Sequence, residues 1–212
     1  MTDHECLSKV LAMLLLRANE RRVHRDYFGA LECYLEAVER YGESAKLSAA
    51  IGHCYVQIAV GDPHETGEHY EQAAAWMRKA VELEPTDARL HVHLAELYQW
   101  GLVDYERATK EYRTAIELAP WYVKAYRSAA TLYGVPEEVI SLAETIGWLE
   151  EAVRLDPDDP MYHAWLGELY REAGRMSDAE REWRRALLCS RPLDPNSGYL
   201  HQIEEAMDIA DT

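Results

Sequence analysis

The sequence predicts an all-α fold, a solenoid of stacked helix–turn–helix pairs, and three observations carry that prediction. The first is a recurring pattern of small and large residues. Ala73-x3-Met77-x2-Ala80-x4-Pro85, Ala108-x3-Tyr112-x2-Ala115-x4-Pro120 and Thr145-x3-Leu149-x2-Ala152-x4-Pro157 follow one another; Ala179-x3-Trp183-x2-Ala186 ends one residue out of register at Pro192, and Ala30-x3-Tyr34-x2-Ala37 is an earlier copy without the proline. The second is a partner segment upstream of each of the last four copies: Ile51-Gly52-x2-Tyr55, Leu94-Ala95-x2-Tyr98, Ala129-Ala130-x2-Tyr133 and Leu166-Gly167-x2-Tyr170. The third is that both half-patterns place apolar residues at i, i+3, i+4 and i+7, the spacing of one helix face. Self-similarity over a few tens of residues marks a stacked array, and such arrays present binding surfaces rather than pockets for chemistry.

The elements follow in order. Helices are expected over 4–22, 26–41, 44–60, 68–84, 87–100, 104–118, 121–134, 138–155, 159–173, 175–189 and 196–210. The apolar run Val10–Leu16 is seven residues long, follows Asp3 and Glu5 rather than a basic region, and ends at Arg17. It therefore reads as the buried face of the first helix, not as a signal peptide. Arg17, Arg21, Arg22 and Arg25 cluster at the end of that helix, where cations complement the macrodipole. Gly52, Ala95, Ala130 and Gly167 fall where paired helices cross and a large side chain would force the axes apart; Tyr55, Tyr98, Tyr133 and Tyr170 fill the gap beside them. Pro85, Pro120 and Pro157 stop one pair before the next begins. Gly101 and Gly174 are helix stops, and Asp159-Pro160 is a start, with Asp as N-cap and Pro in the first turn. The last segment carries Tyr199, Ile203, Ala206, Met207 and Ala210 on one stripe and is expected to cap the end of the array.

Composition excludes several classes. Among 212 residues, 11 Gly and 8 Pro are too few for a low-complexity chain, and 48% hydrophobic residues can build a core. No apolar run reaches the roughly 18 residues of a membrane-spanning helix. The net charge of −16 argues against nucleic acid or an anionic membrane as partner. Residues 1–42 sum to −1 and residues 43–212 to −15. Cys6, Cys33, Cys54 and Cys189 lack metal-ligand spacing and read as small buried hydrophobes in a reducing compartment, the cytoplasm.

On these residues the chain resembles the tetratricopeptide repeat family, whose 34-residue unit carries W-x2-L-G-x2-Y in its first helix and A-x3-F-x2-A-x4-P around its second. His163-x2-Leu166-Gly167-x2-Tyr170 followed by Ala179, Trp183 and Ala186 is the best match. From the small residue of the first helix to the first Ala of the second, that unit counts 12 residues; by the same count the units at Ala95, Ala130 and Gly52 carry one, three and nine extra. The resemblance covers about residues 8–192 and divides the chain into a degenerate first unit (1–42), a second unit with its nine-residue insertion near 59–68 (43–85), a third (86–120), a fourth (121–157), a fifth (158–192) and a C-terminal capping helix (193–212), all one continuous domain. In the first unit Arg17-Ala18-x2-Arg21 replaces the signature.

The resemblance implies a right-handed superhelix whose first helices line a concave groove. Helical spacing then assigns the groove-facing residues: Asn19 in the first unit, with Leu15 and Arg22 beside it; Lys46, His53 and Gln57 in the second; Arg89, Glu96, Gln99 and Trp100 in the third; Lys124, Arg127 and Thr131 in the fourth; Arg171 in the fifth. Lys46, Arg89, Lys124 and Arg127 place bases at the start of successive inner helices of an acidic chain, which would favour a partner segment bearing carboxylates. The chaperone-binding branch of the family grips a terminal carboxylate with a Lys/Asn clamp. Leu15, Ala50 and His93 stand where that clamp needs polar or basic groups, so this role is not expected. His91 and His163 occupy the family's aromatic packing position and read as structural.

The expected function is a non-enzymatic scaffold or adaptor that binds a protein segment, with no cofactor and no metal. No His-Glu-x-x-His, phosphate-binding glycine loop or Gly-x-Ser-x-Gly is present. Two alternatives stand beside it: self-association through the groove or the C-terminal helix, and a metal- or ligand-regulated sensor using the 61–69 loop, where His64, Glu65, Glu68 and His69 offer zinc-binding side chains.

Overall fold

The computed structural model describes residues 3–61, 66–189 and residue 203, with side chains from residue 9 onward except at residue 66, and is all-α among the described residues. Ten helices run in chain order among the described residues: α1 (Asp3–Val23), α2 (Tyr27–Tyr41), α3 (Ala45–Gly61), α4 (Thr66–Leu83), α5 (Ala88–Trp100), α6 (Tyr105–Leu118), α7 (Val123–Ala130), α8 (Leu142–Leu155), α9 (Pro160–Glu172) and α10 (Met176–Leu188). They are described as two compact units, Met1–Leu118 and Ala119–Thr212, divided at the Ala119-Pro120 turn. In the first unit each helix from α1 to α6 packs on the next; in the second the same holds from α7 to α10. Packing of neighbour on neighbour is the construction of an α-solenoid.

Local chemistry sets the helix starts. The carboxylate of Asp26 accepts from the Gly29 amide at 2.9 Å and opens α2. Asp87, Ser141 and Asp159 accept from the amides of Arg89, Glu144 and Met161 and open α5, α8 and α9, the last with Pro160 in its first turn. Between helices, the repeated alanines lie fully buried: Ala30 and Ala37, Ala73 and Ala80, Ala108 and Ala115. The degenerate first unit is thus a helix pair like the others, with Ala18 on α1 buried against α2. Its apolar run is divided: Leu14 is buried, whereas Met13 and Leu16 are 69% and 62% exposed.

Two boundaries differ from expectation. In the second unit α3 runs to Gly61 and α4 starts at Thr66, one and two residues further into the insertion than the expected 60 and 68. The insertion lengthens α3 to 17 residues and α4 to 18, against 13 and 14 in the following pair. Apolar burial drives this: Ile58 and Ala59 are in the core, and the Tyr70 ring lies against Gly101, where an added Cβ would come within 2.7 Å of it. Conversely, α7 stops at Ala130 instead of 134. The amides of Thr131, Leu132 and Tyr133 bond to carbonyls three residues back, tightening the chain into turns before Gly134 at φ +83° and Pro136. α8 accordingly begins at Leu142, behind its Ser141 cap, and not at 138. The predicted helix over 196–210 lies outside the described residues apart from Ile203, which is helical and fully buried.

The single extra residue of the third unit has a visible consequence. In the fifth unit Gly174 takes φ +74° to end α9; in the third, one residue longer, the left-handed position after α5 falls to Val103 at φ +54°. A β-branched side chain there is strained, and Val103 is exposed, so it recovers little by packing. Val103→Gly is expected to raise unfolding free energy by about 1 kcal/mol in urea titration; an unchanged or lower value would show that the loop carries no such strain.

Candidate functional site

The first helices of the pairs are α1, α3 and α5 in the first unit and α7 and α9 in the second. On the first unit Asn19, Lys46, His53, Arg89 and Trp100 are exposed, and Gln57 and Glu96 half-buried. Gln99 departs from its expected place. It is 2% exposed and its Oε1 accepts from the Tyr112 hydroxyl at 2.9 Å, so it belongs to the α5–α6 seam. The 3.6-residue period leaves position 99 at the edge of the inner face, and Tyr112 draws the amide inward. Asn19 accepts from the Tyr34 hydroxyl at 3.1 Å, which ties the foot of its side chain to α2.

The row of bases is less uniform than spacing suggests. Arg89 is engaged with its own N-cap: Nε and Nη2 donate to Asp87 at 2.9 and 2.7 Å, and these bonds hold the Asp87 carboxyl below its usual range. Arg171 likewise donates to Glu168 at 2.7 Å. Lys46 is exposed in the first turn of α3, Arg127 is exposed on α7 and Lys124 half-buried on it. Thr131 lies just beyond α7, and its hydroxyl donates to the Ser128 carbonyl at 2.6 Å.

A group of one arginine and two histidines emerges on the first unit. The His53 imidazole is held below its usual range by desolvation first, then by the positive charge of Arg22 and the proximity of His93. Arg22 is on α1, His53 on α3 and His93 on α5, and all three are exposed. Their register explains the grouping. Counted from the crossing residues Ala18, Gly52 and Ala95, they stand at +4, +1 and −2, so each step to the next first helix moves one turn back along it. The sequence reading placed Arg22 and His53 on the groove and weighed His93 only as a failed clamp residue; the three-residue stagger is the signal that joins them.

No metal centre is assembled: among the described residues, no three His, Cys, Asp or Glu side chains are placed to hold an ion. His64 and Glu65 lie outside the described residues. Glu68 and His69 are in the first turns of α4, with the His69 ring 6.2 Å from that of Tyr55. No described helix is long and apolar enough to cross a membrane.

Comparison with known proteins agrees with this architecture. The sequence model of the tetratricopeptide repeat matches residues 61–87 and 88–120. The chain carries tetratricopeptide repeats over residues 61–120. Among solved structures, this repeat protein is similar to MamA (TM-score 0.70, 18% identity, 89% of this chain and 100% of that one). It is similar also to YrrB, described as a TPR protein with an unusual peptide-binding site (TM-score 0.66, 18% identity, 91% and 90%), and to PilF of Pseudomonas aeruginosa (TM-score 0.71, 14% identity, 97% and 87%). In sequence the repeat protein is 25% identical over 217 residues to human RANBP2-like and GRIP domain-containing protein 8, an alignment that takes in 94% of this chain and 12% of that relative. It is 27% identical over 172 residues to the human RanBP2-like and GRIP domain-containing protein 3, covering 73% and 9%. The repeat protein thus spans about an eighth of the length of the first of these relatives or less.

Proposed function

We propose that this tetratricopeptide repeat protein is a non-enzymatic interaction scaffold that holds an acidic segment of a partner protein on the first-helix face of its first unit. The observation that carries the reading is the staggered group of Arg22, His53 and His93, with Lys46 exposed on α3, in a chain of net charge −16. Arg22 and Lys46, exposed cations on an acidic protein, attract carboxylates. YrrB, with the same fold, is itself described by a peptide-binding site. The protein works in a reducing compartment, the cytoplasm: Cys33 and Cys54 are free and buried, and burial pushes the Cys54 thiol up to about 11, which keeps it unionised. The net charge of −16 argues against nucleic acid and anionic membranes as main partners.

The test is fluorescence anisotropy with a labelled Asp/Glu-rich peptide against wild type and Arg22→Glu/Lys46→Glu. Two reversed charges are expected to weaken binding about tenfold or more, with the difference shrinking in high salt. Equal affinity for both proteins would contradict the reading. A second reading, self-association, is favoured by Met13, Leu16 and Phe28, which leave apolar surface open on the first helix pair; light scattering that reports a monomer at every concentration removes it.

A further inference from the structure

His91 and His163 are buried at the same place in two repeats, four residues before the crossing residue of the first helix, and they make the same two contacts. His91 Nδ1 lies 2.7 Å from the Glu111 carboxylate of α6, and its Nε2 lies 3.0 Å from the carbonyl of Pro85, the residue that ends the preceding repeat. His163 Nδ1 lies 2.8 Å from the Glu182 carboxylate of α10, and its Nε2 lies 2.9 Å from the carbonyl of Pro157. A carboxylate and a backbone carbonyl are both acceptors. A neutral imidazole has one N–H and would turn a lone pair toward the other acceptor at hydrogen-bond distance; only the imidazolium donates to both. Glu182 is fixed as a carboxylate by a further donor, Arg181 at 3.1 Å, and by the charge of Arg185 at 3.6 Å.

The other repeats show what the position does without histidine. In the fourth, Tyr126 donates its hydroxyl to the Pro120 carbonyl at 3.1 Å, and the position equivalent to Glu111 and Glu182 is Trp148. In the second, the pair is Ser48 and Trp76; serine is too short to span the gap, and its buried hydroxyl has no protein partner. From the second repeat to the fifth, then, histidine stands opposite glutamate and non-histidine stands opposite tryptophan; in the first the pair is Leu14 and Cys33.

We propose that the His91–Glu111 and His163–Glu182 pairs are charged clips, each fastening both helices of a repeat to the exit turn of the repeat before it, and that loss of the imidazole proton opens them, so that the array loosens as the solution turns alkaline. The charged groups around each clip agree in sign. His91 faces Glu111 from α6 and Asp87 from the turn after α4; the bond to Glu111 raises its pKa above 6.5, against burial. His163 faces Glu182 and Arg185 from α10, while Glu150 of α8 turns instead to the Tyr170 hydroxyl at 2.6 Å; the bond to Glu182 raises its pKa against burial and Arg185. For Glu182, burial opposes the charge, and the bonds from His163 and Arg181 outweigh it, holding the carboxyl below 4.5. A raised imidazole stabilises the fold fully below its unfolded value and loses that contribution as pH climbs through the folded one; a depressed carboxyl loses its contribution as pH falls through the folded value. The fifth-repeat clip is therefore strongest between 4.5 and 6.5, and on the alkaline side it opens as pH climbs through the raised imidazole value.

Nitrogen-15 imidazole NMR on the wild-type chain, with the rings assigned through their backbone, tests the charge state directly. Both nitrogens of His91 and His163 are expected to carry protons at about pH 7.5, where an unperturbed histidine is largely neutral. Thermal melts provide the second readout: the wild-type midpoint should fall by about 3 °C or more between about pH 6.5 and about pH 9. In His91→Tyr/Glu111→Trp/His163→Tyr/Glu182→Trp, which carries the fourth repeat's pairing, that drop should be largely lost. Neutral tautomers in both rings at about pH 7.5 would overturn the proposal, as would an equal drop in the variant. If the variant does not fold, the wild-type NMR result decides alone.

Discussion

Trp183→Ala is expected to lower the unfolding free energy by about 3–5 kcal/mol, the largest effect of any single substitution in the second unit. The indole is the largest fully buried side chain on α10, and it occupies the space that Gly167 leaves open on α9. A Cβ built on Gly167 would meet Trp183 Cδ1 and Nε1 at 2.4 Å, so the helices can approach only because position 167 has no side chain. Two terms then compete in Gly167→Ala. Removing glycine from a helix interior gains about 1 kcal/mol, and overpacking costs about 1–3 kcal/mol. Overpacking should win, because the contacted atoms belong to the body of a rigid, buried ring and not to the end of a flexible chain. The two sites are coupled: combined with Trp183→Leu, the alanine should be tolerated far better than alone. Urea unfolding of the two single variants and the double variant measures this, and additive losses would show that the indole does not rest on Gly167.

His163→Leu is expected to cost about 3 kcal/mol, although leucine fills most of the volume. It leaves the Glu182 carboxylate, 3% exposed, without its closest partner, and it leaves the Pro157 carbonyl without a donor. The cost stays toward the low end for a broken buried pair because Arg181 and Arg185 still face Glu182. Replacing His163 and Glu182 together by Leu and Met should recover most of the loss, since the penalty lies in the stranded charge and not in the absence of an ion pair. A His163→Leu protein as stable as wild type would mean that Glu182 reaches water or takes a proton.

The scaffold was legible from sequence because it rests on short-range pattern. Ala108, Tyr112 and Ala115 are buried on one helix face because that is what their spacing can do, and Pro85, Pro120 and Pro157 end repeats because they cannot be otherwise accommodated. Helix ends were less legible where tertiary burial competes with local signals. The fourth unit reads as helix to 134, yet α7 stops at Ala130, where the amides of Thr131, Leu132 and Tyr133 turn to carbonyls three residues back and Leu132 is buried. The site was half legible. Period placed Lys46, His53 and Arg89 on the first helices, but it could not show that Arg89 turns back on Asp87, two residues away, or that Gln99 turns inward to Tyr112. The histidine clips were written in the chain as well, through the matching of His91 with Glu111 and His163 with Glu182. Seeing them requires two helices of each repeat to be aligned together, whereas periodicity reads one helix at a time.

The most direct measurement of the central claim is NMR mapping of an Asp/Glu-rich peptide on the protein. The account predicts that the largest shifts fall on the amides around Arg22, His53 and His93 and on the imidazoles of the two histidines, with binding weakened by added salt. Shifts confined to the second helices α2, α4 and α6, or an affinity indifferent to Arg22→Glu, would contradict it.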